Sequence, residues 1–319
     1  MKFHLDFYSK RFVFIGISVA LLLAGLVGGL INGGLNFDIQ FEGGTHLEVP
    51  MRSAEFSTAD IESYVSGTFG KSVSALQQQL YTPGAETQAP HLVIKASKSE
   101  TFSDEEINEL VEYLNTEYGI AEGQNISIRT VEPYIGAEML QKGLLAIFLA
   151  SVLILLYVWI RFSVMSGLSA ALCATLALVH DALIVLAVYA VFRIPINDSF
   201  IAAVLTIVGY SINDTIVVYD RIRENSKGSK RLSYADLVNT SLSQTLTRSL
   251  NTTITTLICV VTVFVFSIVF NISSLYEFCL PLMIGMIAGV YSTLFIASQC
   301  WAMWQIGKQN RQLAAQKTA

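Results

Sequence analysis

Three ionisable residues, Asp181, Asp214 and Arg248, stand within or at the edge of stretches that are otherwise apolar. A carboxylate at the centre of a bilayer-spanning helix costs about 2.5–3.5 kcal/mol on insertion scales, so such residues persist where they carry ions or pair inside a bundle. Asp214 lies in Gly209-Tyr-Ser-Ile-Asn-Asp-Thr-Ile-Val-Val-Tyr-Asp220, where Thr206, Tyr210, Asn213 and Asp214 share one broad helical face. Gln244, Arg248, Asn251, Thr252 and Thr255 form a second polar face at the start of the next apolar stretch. Both faces must meet water or protein rather than lipid.

The spacing predicts that Asp214 lies about six residues, roughly 9 Å, above the inner end of its helix. Arg248 would open the adjacent helix at that same side and come within reach of it. The chemistry implied is ion coupling; a purely structural ion pair, or an arginine snorkelling to the lipid headgroups, is the competing reading. Asp181 falls nearer mid-membrane, so no direct pair with Asp214 is expected. His180 points roughly 100° away around the helix and is expected to be packed or hydrogen-bonded rather than to relay protons.

The elements that position these residues follow from composition. The chain has 319 residues, 53% hydrophobic and only 14% charged, which excludes disorder, collagen and an ordinary soluble enzyme. A bilayer core needs roughly 20 apolar residues, and six stretches qualify: 13–31, 143–160, 164–192, 200–218, 251–270 and 278–304. The first has too long an apolar run for a cleaved signal and reads as a retained anchor. Lys2, Lys10, Arg11, Arg161, Arg221, Arg223, Lys227 and further basic residues fall on one side, against only Arg193 in the short loops of the other. The positive-inside rule then puts both termini in the cytoplasm.

The net charge of −5 is unevenly spread: residues 32–138 hold 17 acidic against 5 basic residues, a local −12 that leaves the remainder at +7. This acidic insertion is expected outside the cytoplasm, and a basic nucleic-acid surface is not expected. Its periodicity reads as β (46–51), α (58–69, with Ser57 as N-cap), β (73–80), a turn at Thr82, Pro83 and Gly84, β (91–96), α (a Ser103/Glu106 capping box, then Ile107, Leu110, Val111 and Leu114) and β (125–131). That order is the ferredoxin-like βαββαβ motif. Gly43 and Gly44 read as a turn into the first strand, and His46 and His91 as ordinary strand histidines. Gly25/Gly29 and Gly285/Gly289 are GxxxG spacings that suggest close helix contacts. The four cysteines lie in apolar runs and read as core residues, with no metal or disulfide pattern. No nucleophile, metal or nucleotide constellation appears, so neither an enzyme nor a cofactor is expected.

The chain thus divides into an N-terminus with the first span (1–31), an outer domain (32–138), spans two to six (139–306) with a basic inner loop near 219–249, and a tail (307–319). At this point the residues resemble the SecF family of bacterial SecD/SecF protein-export complexes. Val208-Gly-Tyr-Ser-Ile-Asn-Asp-Thr-Ile-Val-Val-Tyr-Asp-Arg-Ile-Arg-Glu-Asn225 matches its most specific signature, supported by Ala177-Leu-Val-His-Asp181, Ser243-Gln-Thr-Leu-Thr-Arg248 and Val131-Glu-Pro-Tyr-Ile-Gly-Ala137. One segment departs: in Asp38-Ile-Gln-Phe-Glu-Gly-Gly-Thr45, Gln40 stands where the family usually has Asp.

The resemblance implies an RND-like half-bundle in the bacterial inner membrane, using proton or sodium motive force through Asp214 and Arg248 to help draw unfolded preproteins outward. It also implies SecD as an obligate partner, with SecYEG and YajC as further ones. A passive assembly or chaperone subunit is the alternative, and half of a drug-efflux pump is disfavoured by the small outer domain.

Overall fold

The computed structural model describes residues 6–80, 89–96, 101–121, 126–131, 133–228, 232–270 and 272–318. Helix α1 (Arg11–Ile31) is followed by a one-turn helix α2 (Ile39–Glu42) and then by the elements of the domain expected to lie outside, β1 (Gly44–Pro50), α3 (Thr58–Phe69), β2 (Val73–Leu80), β3 (Ala89–Ala96), α4 (Asp104–Glu117) and β4 (Ser127–Val131). The remaining chain forms α5 (Pro133–Arg161), α6 (Gly167–Phe192), α7 (Asp198–Gly228), α8 (Tyr234–Val269), α9 (Ser273–Ser292) and α10 (Ser298–Thr318). A π-helical turn, Thr293–Ala297, joins the last two. Among the described residues, six helical stretches are long and apolar enough to cross a membrane.

The outer strands form one antiparallel sheet in the order β2-β3-β1-β4. Leu47, Val49, Leu92 and Ile94 alternate onto one face and pack under Ile61, Val65, Ile107, Leu110 and Leu114 from α3 and α4. The helix starts are set by their caps: the Ser57 hydroxyl accepts from Asp60 N–H, and Ser103 and Glu106 make a reciprocal capping box. Gly43 and Gly44 do turn the chain into β1, with φ of 80° and 137°. A side chain on Gly44 would meet the Ala96 carbonyl oxygen. The turn expected at Thr82–Gly84 lies outside the described residues.

Backbone bonds fasten this domain to the bundle. Asp38 N–H donates to Ile196 O (2.9 Å), Ile196 N–H donates to Asn36 O (2.8 Å), and the Gln40 amide oxygen accepts from Asp198 N–H at the first turn of α7 (3.0 Å). Gly136 lets α5 pass against α2, since a Cβ there would lie 2.7 Å from Phe41 O.

Three boundaries differ from the apolar stretches in the sequence. Helix α5 begins about ten residues before its apolar run, α7 continues ten residues beyond Val218, and α8 begins at Tyr234 rather than 251. Hydropathy measures lipid contact, not helicity, and these polar extensions hold helix through local pairs such as Lys142–Glu138 (2.7 Å) and Arg223–Asp220 (2.8 Å). Among the cysteines, Cys173 and Cys279 are buried and Cys300 half-buried, whereas Cys259 is exposed on α8.

Both GxxxG pairs mark close approaches: a Cβ on Gly25 would fall 2.2 Å from Ala187 Cβ, and one on Gly285 2.2 Å from Ile207 Cδ1. Gly285→Val should therefore destabilise the bundle by about 1–3 kcal/mol through overpacking. Gly16→Val, which meets nothing within 4 Å, should leave the detergent-solubilised melting temperature unchanged. Equal melting temperatures for the two variants would contradict the α7–α9 contact.

His46 and His91 lie on the sheet face opposite α3 and α4, and burial pushes both imidazoles below their ordinary value; Lys95 adds to this at His46, while Glu48 opposes it at both. Because the unfolded chain binds the proton more readily, the stability they contribute is intact above the ordinary imidazole value of about 6.5 and declines as pH falls below it. Near-ultraviolet dichroism of the stacked Tyr64–Tyr113 pair (3.5 Å) reports on this domain. Its melting midpoint should drop between pH 7.5 and 5, and drop less in the His46→Gln/His91→Gln variant; an identical drop in both would exclude the histidines.

Candidate functional site

The bundle holds its carboxylates in two separate settings. Asp181, on α6, is only 1% exposed. Its Oδ2 accepts from Ser211 Oγ of α7 (2.6 Å) and Ser292 Oγ of α9 (2.8 Å), and its Oδ1 lies 3.2 Å from His180 Nδ1. Contact between the adjacent His180 and Asp181 shows that a 100° offset of Cβ directions does not keep two flexible side chains apart. The imidazole also stacks on the Tyr291 ring (6.1 Å), whose hydroxyl donates to Phe14 O of α1 (2.6 Å).

One turn further, Thr215 and Thr293 hydroxyls meet at 2.9 Å beside the π-helical turn. The polar groups that such a turn leaves over are taken up by Ser298 Oγ, donating to Thr293 O, and Gln299 Nε2, donating to Leu294 O. Small residues make the site possible. Ala170, Ala171, Ala174 and Ala177 are buried along α6, and Gly289 faces Ser211, so the helices approach closely enough for two serine hydroxyls to reach one carboxylate oxygen.

Asp214 is held differently. Its Oδ1 accepts from Ser249 Oγ (2.5 Å), while its Oδ2 is buried without a hydrogen-bond partner. It lines a cavity of about 80 Å³ with Tyr210, Asn213, Arg248, Thr252 and Thr253. The Tyr210 hydroxyl donates to Thr253 Oγ1 (3.0 Å) and closes one side. Arg248 shares the cavity, yet no ion pair joins it to Asp214 among the described residues, and its side chain is exposed.

Both residues sit mid-helix rather than at helix ends. Asp214 lies fourteen residues before the end of α7 and Arg248 fourteen after the start of α8, so the antiparallel pair brings them level. Thr206 and Asn251 fall outside this cavity. Thr206 is exposed and its hydroxyl donates to Ala202 O of its own helix, and Asn251 is exposed on α8.

The residues that hold the carboxylates were not singled out by the sequence. Ser211, Ser249 and Ser292 are hydroxyls in helical runs, a type common in membrane helices; the one available signal was Gly289, which marks where α9 meets Ser211.

The family model described as protein export membrane protein SecD/SecF, C-terminal, matches residues 111–307. The chain belongs to the SecD/SecF family. It is 35% identical over 318 residues to protein translocase subunit SecDF of Bacillus subtilis, covering 98% of this chain and 39% of that protein. It is 32% identical over 314 residues to protein translocase subunit SecF of Dictyoglomus turgidum, covering 96% and 99%. The SecDF crystal structure from Thermus thermophilus, a translocon-associated membrane protein, aligns with a TM-score of 0.75 at 30% identity over 94% of this chain and 38% of that one. The chain spans 62% of the SecF of Alicyclobacillus acidocaldarius. The six apolar helices and the small antiparallel sheet are thus those of a membrane protein similar to SecDF.

Removing the donors to Asp181 tests the first setting. Ser211→Ala and Ser292→Ala should each cost about 1–3 kcal/mol by leaving a buried carboxylate oxygen less satisfied. Thr206→Val should fall within about 0.5 kcal/mol of the parent chain. Thermal unfolding in detergent reads the difference, and indifference to both serines would contradict the bonded centre.

Proposed function

We propose that this chain is the SecF-side subunit of a bacterial inner-membrane export complex in which ion movement through the Asp214 centre helps draw unfolded preproteins outward. The observation that carries the reading is Asp214 itself: a carboxylate in an apolar bundle with one oxygen bonded to Ser249 and the other buried without a partner, beside a small cavity that also contains Arg248. Asp181, by contrast, has both oxygens engaged. The free oxygen can take a proton, and a shift of Arg248 toward or away from it would change how readily that proton is held. Each charge moved through 100 mV supplies about 2.3 kcal/mol. Asp181, enclosed by hydroxyls and His180, is assigned a supporting part in the same coupling.

The outer elements fit a ferredoxin-like domain of residues 32–138 on the periplasmic side, supported by the β2-β3-β1-β4 order. Both termini are assigned to the cytoplasm from the distribution of Lys and Arg. A SecD partner is supported by the single-chain SecDF relatives and by the polar face of Thr206, Asn213, Arg248, Asn251 and Thr252, which this chain leaves exposed where lipid would otherwise meet it. SecYEG and YajC complete the assembly in this reading. The chain works by transport and not by catalysis.

Export into inverted membrane vesicles under an imposed ion gradient tests the assignment, with proton and sodium gradients applied in turn. Asp214→Asn should lower the gradient-dependent rate by roughly tenfold or more while leaving the protein's level and its association with SecD unchanged. Arg248→Ala should be similarly defective, and the double variant no worse than either single one, since both act on one step. Normal gradient-driven export by Asp214→Asn would leave the passive assembly subunit as the reading.

A further inference from the structure

The sheet face not covered by α3 and α4 looks onto the bundle across a cleft of about 800 Å³. All four strands contribute to it: Leu76 from β2, Lys95 from β3, Glu48 from β1 and Arg129 from β4. Its opposite wall comes from the ends of three bundle helices, with Asp198 of α7, Val269 of α8 and Glu277 of α9. Four strands span three inter-strand spacings, about 15 Å, which is the length of four to five residues of extended chain at about 3.3 Å per residue. The space is far larger than a bound ion or a single small anion needs. Among the described residues, β2 and β4 are the edges of the sheet.

The lining has two characters. Apolar side chains, among them Leu76, Val93 and Val131, alternate with charges. The charges are unequal: Asp38, Glu48, Asp198 and Glu277 against Lys95 and Arg129. His46 also lines the cleft, and its buried Nε2 has no hydrogen-bond partner. Burial holds its imidazole below the ordinary value, so it adds no cation near neutral pH.

We propose that this cleft receives an extended polypeptide segment of about five residues that carries apolar side chains and a net positive charge, lying across the strands between the sheet and the tops of α7 and α9. The inference rests on the export reading and adds a place for the exported chain to be held. Because the cleft is walled on one side by the first turn of α7, an occupied cleft sits on the same helix as Asp214.

Photo-crosslinking in membranes containing the whole complex tests it. A photoreactive phenylalanine analogue is placed at Leu76 or at Arg129, on opposite edges of the cleft, and at Glu112 on the outer face of α4 as a reference, with an export intermediate stalled across the channel. Crosslinks to the stalled chain should exceed those from Glu112 at least fivefold from one or both cleft positions. They should fall at least threefold in Glu48→Lys for a cationic stalled segment and recover for an anionic one. They should persist in Asp214→Asn, because holding the segment needs no ion flow; an export defect in that variant with intact crosslinks therefore separates the two readings. Crosslinks from the cleft only to SecD or to lipid, or no excess over Glu112 from either position in complexes of normal protein level, would overturn the proposal.

Discussion

The structure turns on the cost of placing a carboxylate in an apolar bundle. An unpaired buried charge is worth several kcal/mol against folding, a large share of the marginal stability of any chain of this size. Each carboxylate must therefore collect donors from neighbouring helices, and donors as short as serine hydroxyls can do so only where the backbones come close. That requirement accounts for the run of alanines along α6 and for Gly289 of α9 opposite Ser211. Small residues here are the condition for charge, rather than filler between larger ones.

The two carboxylates answer this constraint in opposite ways. Asp181 is closed off, with Ser211, Ser292 and His180 around it and Tyr291 stacked behind. Asp214 is satisfied on one oxygen only, and its remaining surroundings are a small cavity and the flank of an exposed arginine. A closed centre contributes specificity to the packing of α6, α7 and α9. A half-open one leaves an oxygen facing a cavity that Arg248 also lines. The difference lies entirely in the neighbours, since both residues are aspartates in apolar helices.

Helix α7 connects the two ends of the molecule. Its middle carries Ser211 and Asp214, its C-terminal extension is tied by Asp220 to Arg161 and Arg223, and its first turn is bonded to Gln40 at the base of the sheet domain. Gln40 makes this joint through its amide oxygen, which accepts a backbone N–H without bringing a charge. Together with the backbone bonds between Asn36, Asp38 and Ile196, it makes the edge of the sheet domain continuous with the helix that holds Asp214.

Much was legible in the amino-acid sequence because it depends on local chemistry and period. The six apolar stretches, the caps at Ser57 and Ser103, the alternation of β1 and β3, the close helix contacts at the paired glycines, and the oddity of Asp181, Asp214 and Arg248 in apolar surroundings all follow from residue type and spacing. Tertiary structure decided the rest. The levelling of Asp214 with Arg248 at mid-helix depends on which helices lie side by side. So does the choice of Ser211, Ser249 and Ser292, among many similar hydroxyls, as the donors to the two carboxylates. A serine in a membrane helix carries no mark of its partner: a hydroxyl that bonds back to its own helix and one that meets a buried carboxylate have the same local sequence, and only the approach of a second helix distinguishes them.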